Sequence, residues 1–556
     1  MHDLRTHTAR SAIAAGLGLA LALGGGLAPN MAWAADGSLT ITQQHNEAAT
    51  YDAFCLFTAD ISSDNKATHL AWASDTMKAA VLAYLDANGY GDWLSTSHPG
   101  DDQHDRPQNA AEYIAYRIDK SATDEGAATT PRTTEGASFA NGLARALVAA
   151  QALPHRTATS GKKFTASQGY WLIVTTELTT GDGEAGTAPI WVPLGGSTKE
   201  INEKTSVPTC DKQVREDSGD WGRTADANRA QEVPYRLSGT LPANFGAFGE
   251  YHYQFEDTLS AGLEIGVPSG KSIADVISVS IGGRPATVDG ANLSATYANN
   301  VLRVEFKDLK SSHWNSYKIG KDTPITVEYQ AHLTKDAVIG AAGNSNDLVL
   351  TYTHDPNTNE LGKTTKIPAP KLFSYAVELT KVDAQTGEAL PGAGFTIRVA
   401  SGNSDKASRG LYVQADGSLA TTAHTFVTGD DGTFLVAGVD EGTYTIAEVD
   451  VPDGYERIDE DITLVLTSEL DNSTISLGNL KATVSGGEHA QEHAEFLTKV
   501  SEVKTSSGSV SITATNDRWI LMPVTGMEGI RPSLVIGMTV SALAGGGILL
   551  RRRRRA

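Results

Sequence analysis

The sequence predicts a mainly β protein: tandem immunoglobulin-like β-sandwich domains behind an N-terminal domain of mixed α/β content. Three observations lead there. The chain has 556 residues, too many for one ordinary core. From residue 206 onward, short alternating apolar segments are separated at brief intervals by Gly-containing turns. Helical periodicity is confined to a short part of the N-terminal third. Composition narrows the classes further. The 55 glycines follow no Gly-X-Y period, which excludes collagen. A net charge of −21 argues against a nucleic-acid partner, because neutralising phosphates takes clustered Lys and Arg.

Taken in order, residues 1–34 read as a secretory signal peptide. Arg5 and Arg10 precede an apolar, small-residue stretch, and Ala32-Trp33-Ala34 supplies the small-x-small cleavage pattern. Residues 35–205 form the mixed domain. Strands are predicted at Leu39-Thr40-Ile41-Thr42 and from Tyr51 to Phe57. Ser74 caps a helix whose face carries Met77, Ala80, Val81, Tyr84 and Leu85, and Asn88-Gly89 ends it. Phe139, Leu143, Ala146, Leu147 and Ala150 mark a second helix, stopped by Pro154. Residues 101–108 and 121–136 read as loops. Residues 206–370 are expected to be a first sandwich, with its last stretch, 357–370, a linker. Residues 371–521 are expected to be a second sandwich, with a polar insertion at 483–508.

Chemistry is signalled by polar residues that fall on the buried face of a strand. Alternate residues of a strand point the same way. Tyr375, Val377, Leu379 and Lys381 share a face, so an amine points inward. Tyr444, Ile446 and Glu448 do the same for a carboxylate, and Val510, Ile512, Ala514 and Asn516 for a carboxamide. Burying a lone charge is costly. Burial also lowers a lysine's pKa and raises a glutamate's. A neutral amine can attack the asparagine carbonyl while a protonated glutamate polarises it, releasing ammonia and leaving an isopeptide bond. A buried Lys–Glu ion pair beside an asparagine is the bland alternative.

Further motifs make the chain recognisable. Lys381-Val382-Asp383, Leu390-Pro-Gly-Ala-Gly-Phe395, Tyr444-Thr-Ile-Ala-Glu448-Val-Asp-Val-Pro452-Asp-Gly-Tyr455 and the late Asn516 resemble a Cna-B-type domain of Gram-positive pilins. Val449 stands where the pattern usually has Thr after the glutamate. The resemblance implies a Lys381–Asn516 isopeptide bond with Glu448 as its catalyst. Val207-Pro-Thr-Cys-Asp-Lys212-Gln-Val214, Gln231-Glu-Val-Pro-Tyr-Arg-Leu237 and Tyr253-Gln-Phe-Glu-Asp257 are similar to the fimbrial isopeptide-forming domain. There the resemblance implies Lys212 as amine and Asp257 as acid. His354 stands where the acceptor asparagine is sought, and Asn346 is the alternative on the same strand face. Tyr51-Asp-Ala-Phe-Cys-Leu-Phe57 and Gly169-Tyr-Trp-Leu-Ile-Val174 resemble the N-terminal domain of such pilins.

Residues 522–556 resemble a cell-wall sorting signal. Met522-Pro523-Val524-Thr525-Gly526 is an LPxTG-like motif with Met in the leading place. The 19 apolar residues of 532–550 are long enough for a transmembrane helix, and Arg551 to Arg555 form the basic tail. The resemblance implies that a sortase cuts after Thr525 and joins it to an amine on peptidoglycan or on another pilin subunit. The membrane is then a partner of the precursor alone. Processing removes eight basic and two acidic residues and takes the net charge from −21 to −27. In such pilins the acceptor lysine lies between the first and second domains, where Lys204 stands, with Lys199 its nearest competitor.

Three features have other readings. Cys55 and Cys210 are the only cysteines, open to a disulfide or to two buried thiols. Phe54-Cys55-Leu56 is similar to the cysteine of thioester adhesins, but Gln151 is a remote partner. His489-Ala-Gln-Glu492-His493 has the spacing of inverted zinc proteases. It lies in a polar insertion with no apolar stripe to seat a helix, so a solvated segment is expected, and no metal or cofactor. The expected protein is a structural subunit of a sortase-assembled pilus, covalently attached outside the cell, rather than a turnover enzyme. The alternative is a non-polymerising, wall-anchored adhesin that binds host surface ligands.

Overall fold

The computed structural model describes residues 36–43, 49–63, 67–90, 113–114, 134–153, 155–178, 185–203, 206–364, 366–403, 405–458, 460–486, 499–504 and 508–518. The signal peptide, Lys204, His489, Glu492, His493 and the sorting motif lie outside them. The described chain is mostly β, with multiple sheets and few helices.

The N-terminal domain has three layers. A five-stranded sheet runs Ala67–Trp72, Thr50–Ile61, Gly169–Glu177, Ile190–Leu194, with His155–Thr159 also paired to Thr50–Ile61. Its central strand is covered on both faces. Phe54 and Leu56 pack toward the two helices, while Tyr51, Ala53 and Cys55 pack toward a three-stranded sheet of Lys163–Ala166, Gly37–Gln43 and Thr198–Glu203. That double cover explains why Ala53 to Phe57 are buried without alternation. The helix Asp75–Ala87 starts as expected: Ser74 Oγ accepts from Met77 N at 3.0 Å. The second helix, Thr134–Ala150, begins inside the stretch expected to be a loop.

The middle domain is a two-sheet sandwich. One sheet is ordered Trp221–Gly222, Cys210–Arg215, Val233–Gly239, Ile325–Leu333, Ser278–Ile281, Arg284–Ala286. The facing sheet is ordered Thr224–Asp226, Lys371–Phe373, Asn344–Thr353, Tyr253–Leu259, Val301–Phe306, Leu293–Ala298. The strand Lys371–Phe373 therefore belongs to this domain, and the change of domain comes at Ser374 rather than between 370 and 371. The stretch expected to be a linker is also structured. Leu361–Lys363 pairs with Asn344–Thr353, and Thr364 is buried, its Oγ1 accepting from Leu350 N at 3.1 Å. Asn357 is buried against the first domain and donates from Nδ2 to Thr187 O at 3.0 Å.

The last domain is a second sandwich. Its first strand, Tyr375–Asp383, lies between Thr433–Val439 and the final strand Ser509–Asn516, which runs parallel to it. Lys499–Lys504 pairs with the far side of that final strand, so part of the expected insertion is an edge strand. The facing sheet contains Gly394–Val399, Gly442–Asp450, Ile462–Asp471 and Ser476–Ser485. A core of Tyr375, Leu379, Phe395, Ile446, Leu464, Ile512 and neighbours fills the space between. Ser374 bridges the two sandwiches, its single Oγ–H shared between Ala227 O at 2.9 Å and Val439 O at 3.0 Å. Among the described residues no helix is long and apolar enough to cross a membrane.

Candidate functional site

In the last sandwich the parallel pairing sets Lys381 opposite Ala514 and Asp383 opposite Asn516. The Lys381 side chain reaches along its neighbour strand to Asn516, and Nζ donates to Asn516 Oδ1. Glu448 comes from the facing sheet. Its Oε1 lies 3.3 Å from Lys381 Nζ and accepts from Asn516 Nδ2 at 2.9 Å, while Oε2 accepts from Ile458 N at 2.8 Å. The Lys381 and Glu448 side chains are 0% exposed, so no water competes for the amine. Phe395 walls the site, with Lys381 Nζ 5.5 Å from its ring centre. Burial lowers the Lys381 amine to about 8, against the pull of the Glu448 carboxylate. The three residues predicted to converge therefore do so, with an amine, a carboxamide carbonyl and a proton carrier in mutual contact.

In the middle sandwich Lys212 projects from one sheet and Asp257 from the other, and Lys212 Nζ donates to Asp257 Oδ1. Both side chains are 0% exposed. Burial lowers Lys212 to about 8 and raises Asp257, each opposed by the partner's charge. Both shifts favour the neutral pair. Asn346 joins the group through Tyr329. The tyrosine hydroxyl donates to Asp257 Oδ2 at 2.6 Å and accepts from Asn346 Nδ2 at 2.8 Å. Asn346 is wholly buried and its Oδ1 has no hydrogen-bond partner. His354 lies beyond the end of the strand Asn344–Thr353 and takes no part. Tyr329 was missed at the sequence level, where an inward tyrosine among Ile325, Val327 and Leu333 reads as ordinary core. Tyr235 stacks on it at 5.6 Å, and Lys212 Nζ sits 5.6 Å from the Tyr235 ring centre.

The other candidates resolve differently. Cys55 and Cys210 are free, buried thiols in separate domains. Burial pushes Cys55 up to about 12, the opposite of what a reactive thiol needs. Gln151 instead donates from Nε2 to Val148 O at 3.0 Å. Lys199 is half-buried and donates to Pro193 O. Among the described residues there is no group of His, Cys, Asp and Glu placed to hold a metal ion.

Comparison with known proteins bears on the last domain most directly. Residues 375–481 match the family model of the SpaA prealbumin-like fold domain. The SpaA match contains Lys381 and Glu448 and stops short of Asn516. No curated protein matches the chain in sequence. Among solved structures, the T6 backbone pilin of serotype M6 Streptococcus pyogenes is similar at 15% identity and TM-score 0.49, covering 87% of this chain and 99% of that one. The full-length major pilin SpaD from Corynebacterium diphtheriae is similar at 14% identity and TM-score 0.44, covering 88% and 99%. The major pilin RrgB from Streptococcus pneumoniae is similar at 11% identity and TM-score 0.38, covering 66% and 87%.

Proposed function

We propose that this chain is a structural subunit of a sortase-assembled pilus, strengthened by self-formed Lys–Asn isopeptide bonds. The contact of Lys381, Asn516 and Glu448 in a dry SpaA-type core carries the proposal. In the reaction the Lys381 ammonium gives a proton to Glu448. The neutral amine attacks Asn516 Cγ, forming the new C–N bond. The bond to Nδ2 breaks as Glu448 gives its proton to the leaving nitrogen, the Glu448 carboxylate then takes the surplus proton from the newly bonded Lys381 nitrogen, and ammonia leaves. Each molecule reacts once, so this is maturation rather than turnover. A second bond, from Lys212 to Asn346 with Asp257 as proton carrier, is supported by the Tyr329 bridge.

Assembly would follow from the sorting signal at Met522 to Gly526, with Thr525 joined to a lysine of the next subunit or to peptidoglycan. Lys204 is the acceptor favoured by its place between domains. Wall material released by a muramidase and run on a denaturing gel tests this. A high-mass ladder is expected, collapsing to one band when Lys204 is replaced by alanine. A single band from the parent strain would indicate an unpolymerised adhesin instead, and an unchanged ladder in the variant would exclude Lys204.

A further inference from the structure

Next to the reactive triad lies a second polar cluster that the reaction itself does not use. Asp383 follows Lys381 by two residues and Arg518 follows Asn516 by two, while Tyr455 closes the segment after the Glu448 strand. Asp383 Oδ2 accepts from Tyr455 OH at 2.8 Å and from Arg518 Nε at 2.8 Å, and Arg518 Nε lies 3.1 Å from Tyr455 OH. The Arg518 guanidinium stands 5.5 Å from the centre of the Tyr455 ring. Backbone bonds reinforce the knot: Ala384 N donates to Asn516 O at 3.0 Å and Glu456 N to Asp517 O at 2.9 Å. The Asp383 side chain is 1% exposed, whereas Arg518 is 55% exposed and covers it from outside. Asp383 Oδ1 is occupied by Gln385 N and Thr386 N at 2.8 and 2.9 Å, which leaves Oδ2 for the clasp.

We propose that Asp383, Tyr455 and Arg518 form a clasp that positions the Lys381, Glu448 and Asn516 side chains for bond formation. Each clasp residue sits on one of the three chain segments that carry the triad. Fixing Asp383 against Arg518 sets the register of the first and last strands, and so the reach of Lys381 to Asn516. Fixing Tyr455 holds the short segment to Ile458, whose N–H binds Glu448 Oε2 and so turns Oε1 toward the amine and the carboxamide. Register matters here because the acceptor, Asn516, is the last residue of its strand. A misplacement of about 1 Å between reacting groups can cost on the order of a hundredfold in rate. These are positioning residues: none touches the bond that forms.

This inference rests on the isopeptide reading. The test uses the chain from residue 35 to 525 made by cell-free synthesis, stopped at set times, digested, and assayed by mass spectrometry for the peptide joining Lys381 to Asn516. The parent should form the joined peptide. Tyr455→Phe, which removes one hydroxyl, and Arg518→Ala should each slow its appearance by about tenfold or more. Arg518→Lys should recover part of the rate, since one charged donor remains. Near-ultraviolet circular dichroism of each variant in an Asn516→Ala background checks that the sandwich still forms. Parent-like rates in Tyr455→Phe and Arg518→Ala would overturn the clasp and leave the bond standing. Absence of the joined peptide from the parent would overturn the isopeptide reading itself. If Arg518→Ala does not fold, Tyr455→Phe alone decides.

Discussion

Lys381 is useful as a nucleophile only while uncharged, and its surroundings decide how often that happens. An ordinary lysine is protonated almost completely at neutral pH, whereas an amine lowered to about 8 is neutral about a tenth of the time at pH 7. The reactive pair, neutral Lys381 with protonated Glu448, holds the same single proton as the ion pair, so bond formation in freshly folded protein is expected to be level below about pH 8 and to fall above it as the pair loses that proton to solvent. The rate of ammonia release, followed from pH 6 to pH 9, measures this. A rate that climbs steadily from pH 6 to pH 9 would contradict the shared-proton mechanism. Lys212 has the same lowered amine, also to about 8, so a second phase from the middle domain should show the same fall above that pH. Glu448 must hand a proton on, and glutamine in its place cannot; Glu448→Gln should keep the fold and stop the reaction at Lys381.

At the scale of strands and sheets, the two sites connect different parts of a sandwich. Lys381 and Asn516 sit on adjacent parallel strands of one sheet, so their bond would tie the first strand to the last. Lys212 and Asn346 come from facing sheets, so theirs would tie the layers together. The first closes a loop 135 residues long, which by chain entropy is worth about 5 kcal/mol. Asn516→Ala, which forbids the bond, is therefore expected to lower stability by about that amount, read from denaturant unfolding of the last domain. Loss of the Ser74 cap, by contrast, should cost only about 1 kcal/mol. Strand alternation made the triad legible, because Lys381, Glu448 and Asn516 each interrupt an apolar face. The same alternation hid Tyr329, an aromatic residue where a core expects one. The domain boundary was misjudged because the strand Lys371–Phe373 earns its place through Thr224–Asp226, paired in parallel from far back in the chain. Local composition carries no trace of such a partner. Asn357 and Thr364 mislead in the same way: the stretch holds the polar and proline content of a linker, but contacts from elsewhere bury them.

Across the whole molecule, the joint between the two sandwiches is acidic on both sides. Glu216 and Asp226 from the middle domain and Glu441 from the last line a cleft of about 260 Å³ together with Ser468 and Asn472, and Asp440 lies buried within reach of the Asp226 and Glu216 charges. Asp226 and Asp440 are buried, and Tyr375 OH donates to Asp226 Oδ2 at 2.6 Å. Burial, then the neighbouring acidic charges, raises Asp226 to about 6 and Glu216 to about 8, and Asp440 well above its usual range. A carboxyl group whose pKa is raised by docking favours the docked state at low pH. That contribution is complete below about pH 4 and is lost as the pH rises through about 6 and then 8. The joint is expected to open measurably between pH 5 and pH 8.5, seen as a falling hydrogen-exchange protection factor at Tyr375 and Ala227, once the intrinsic rise of exchange with pH is divided out. Asp226→Asn should flatten the trend; protection factors that do not vary with pH in the parent would refute it.

The most direct measurement is the intact mass of the chain from residue 35 to 525. Two isopeptide bonds predict a deficit of about 34 Da, one ammonia of about 17 Da for each. Glu448→Ala should reduce the deficit to about 17 Da, and Glu448→Ala with Asp257→Ala should abolish it. A parent chain at full mass, with Lys381 and Asn516 recovered in separate peptides, would contradict the account.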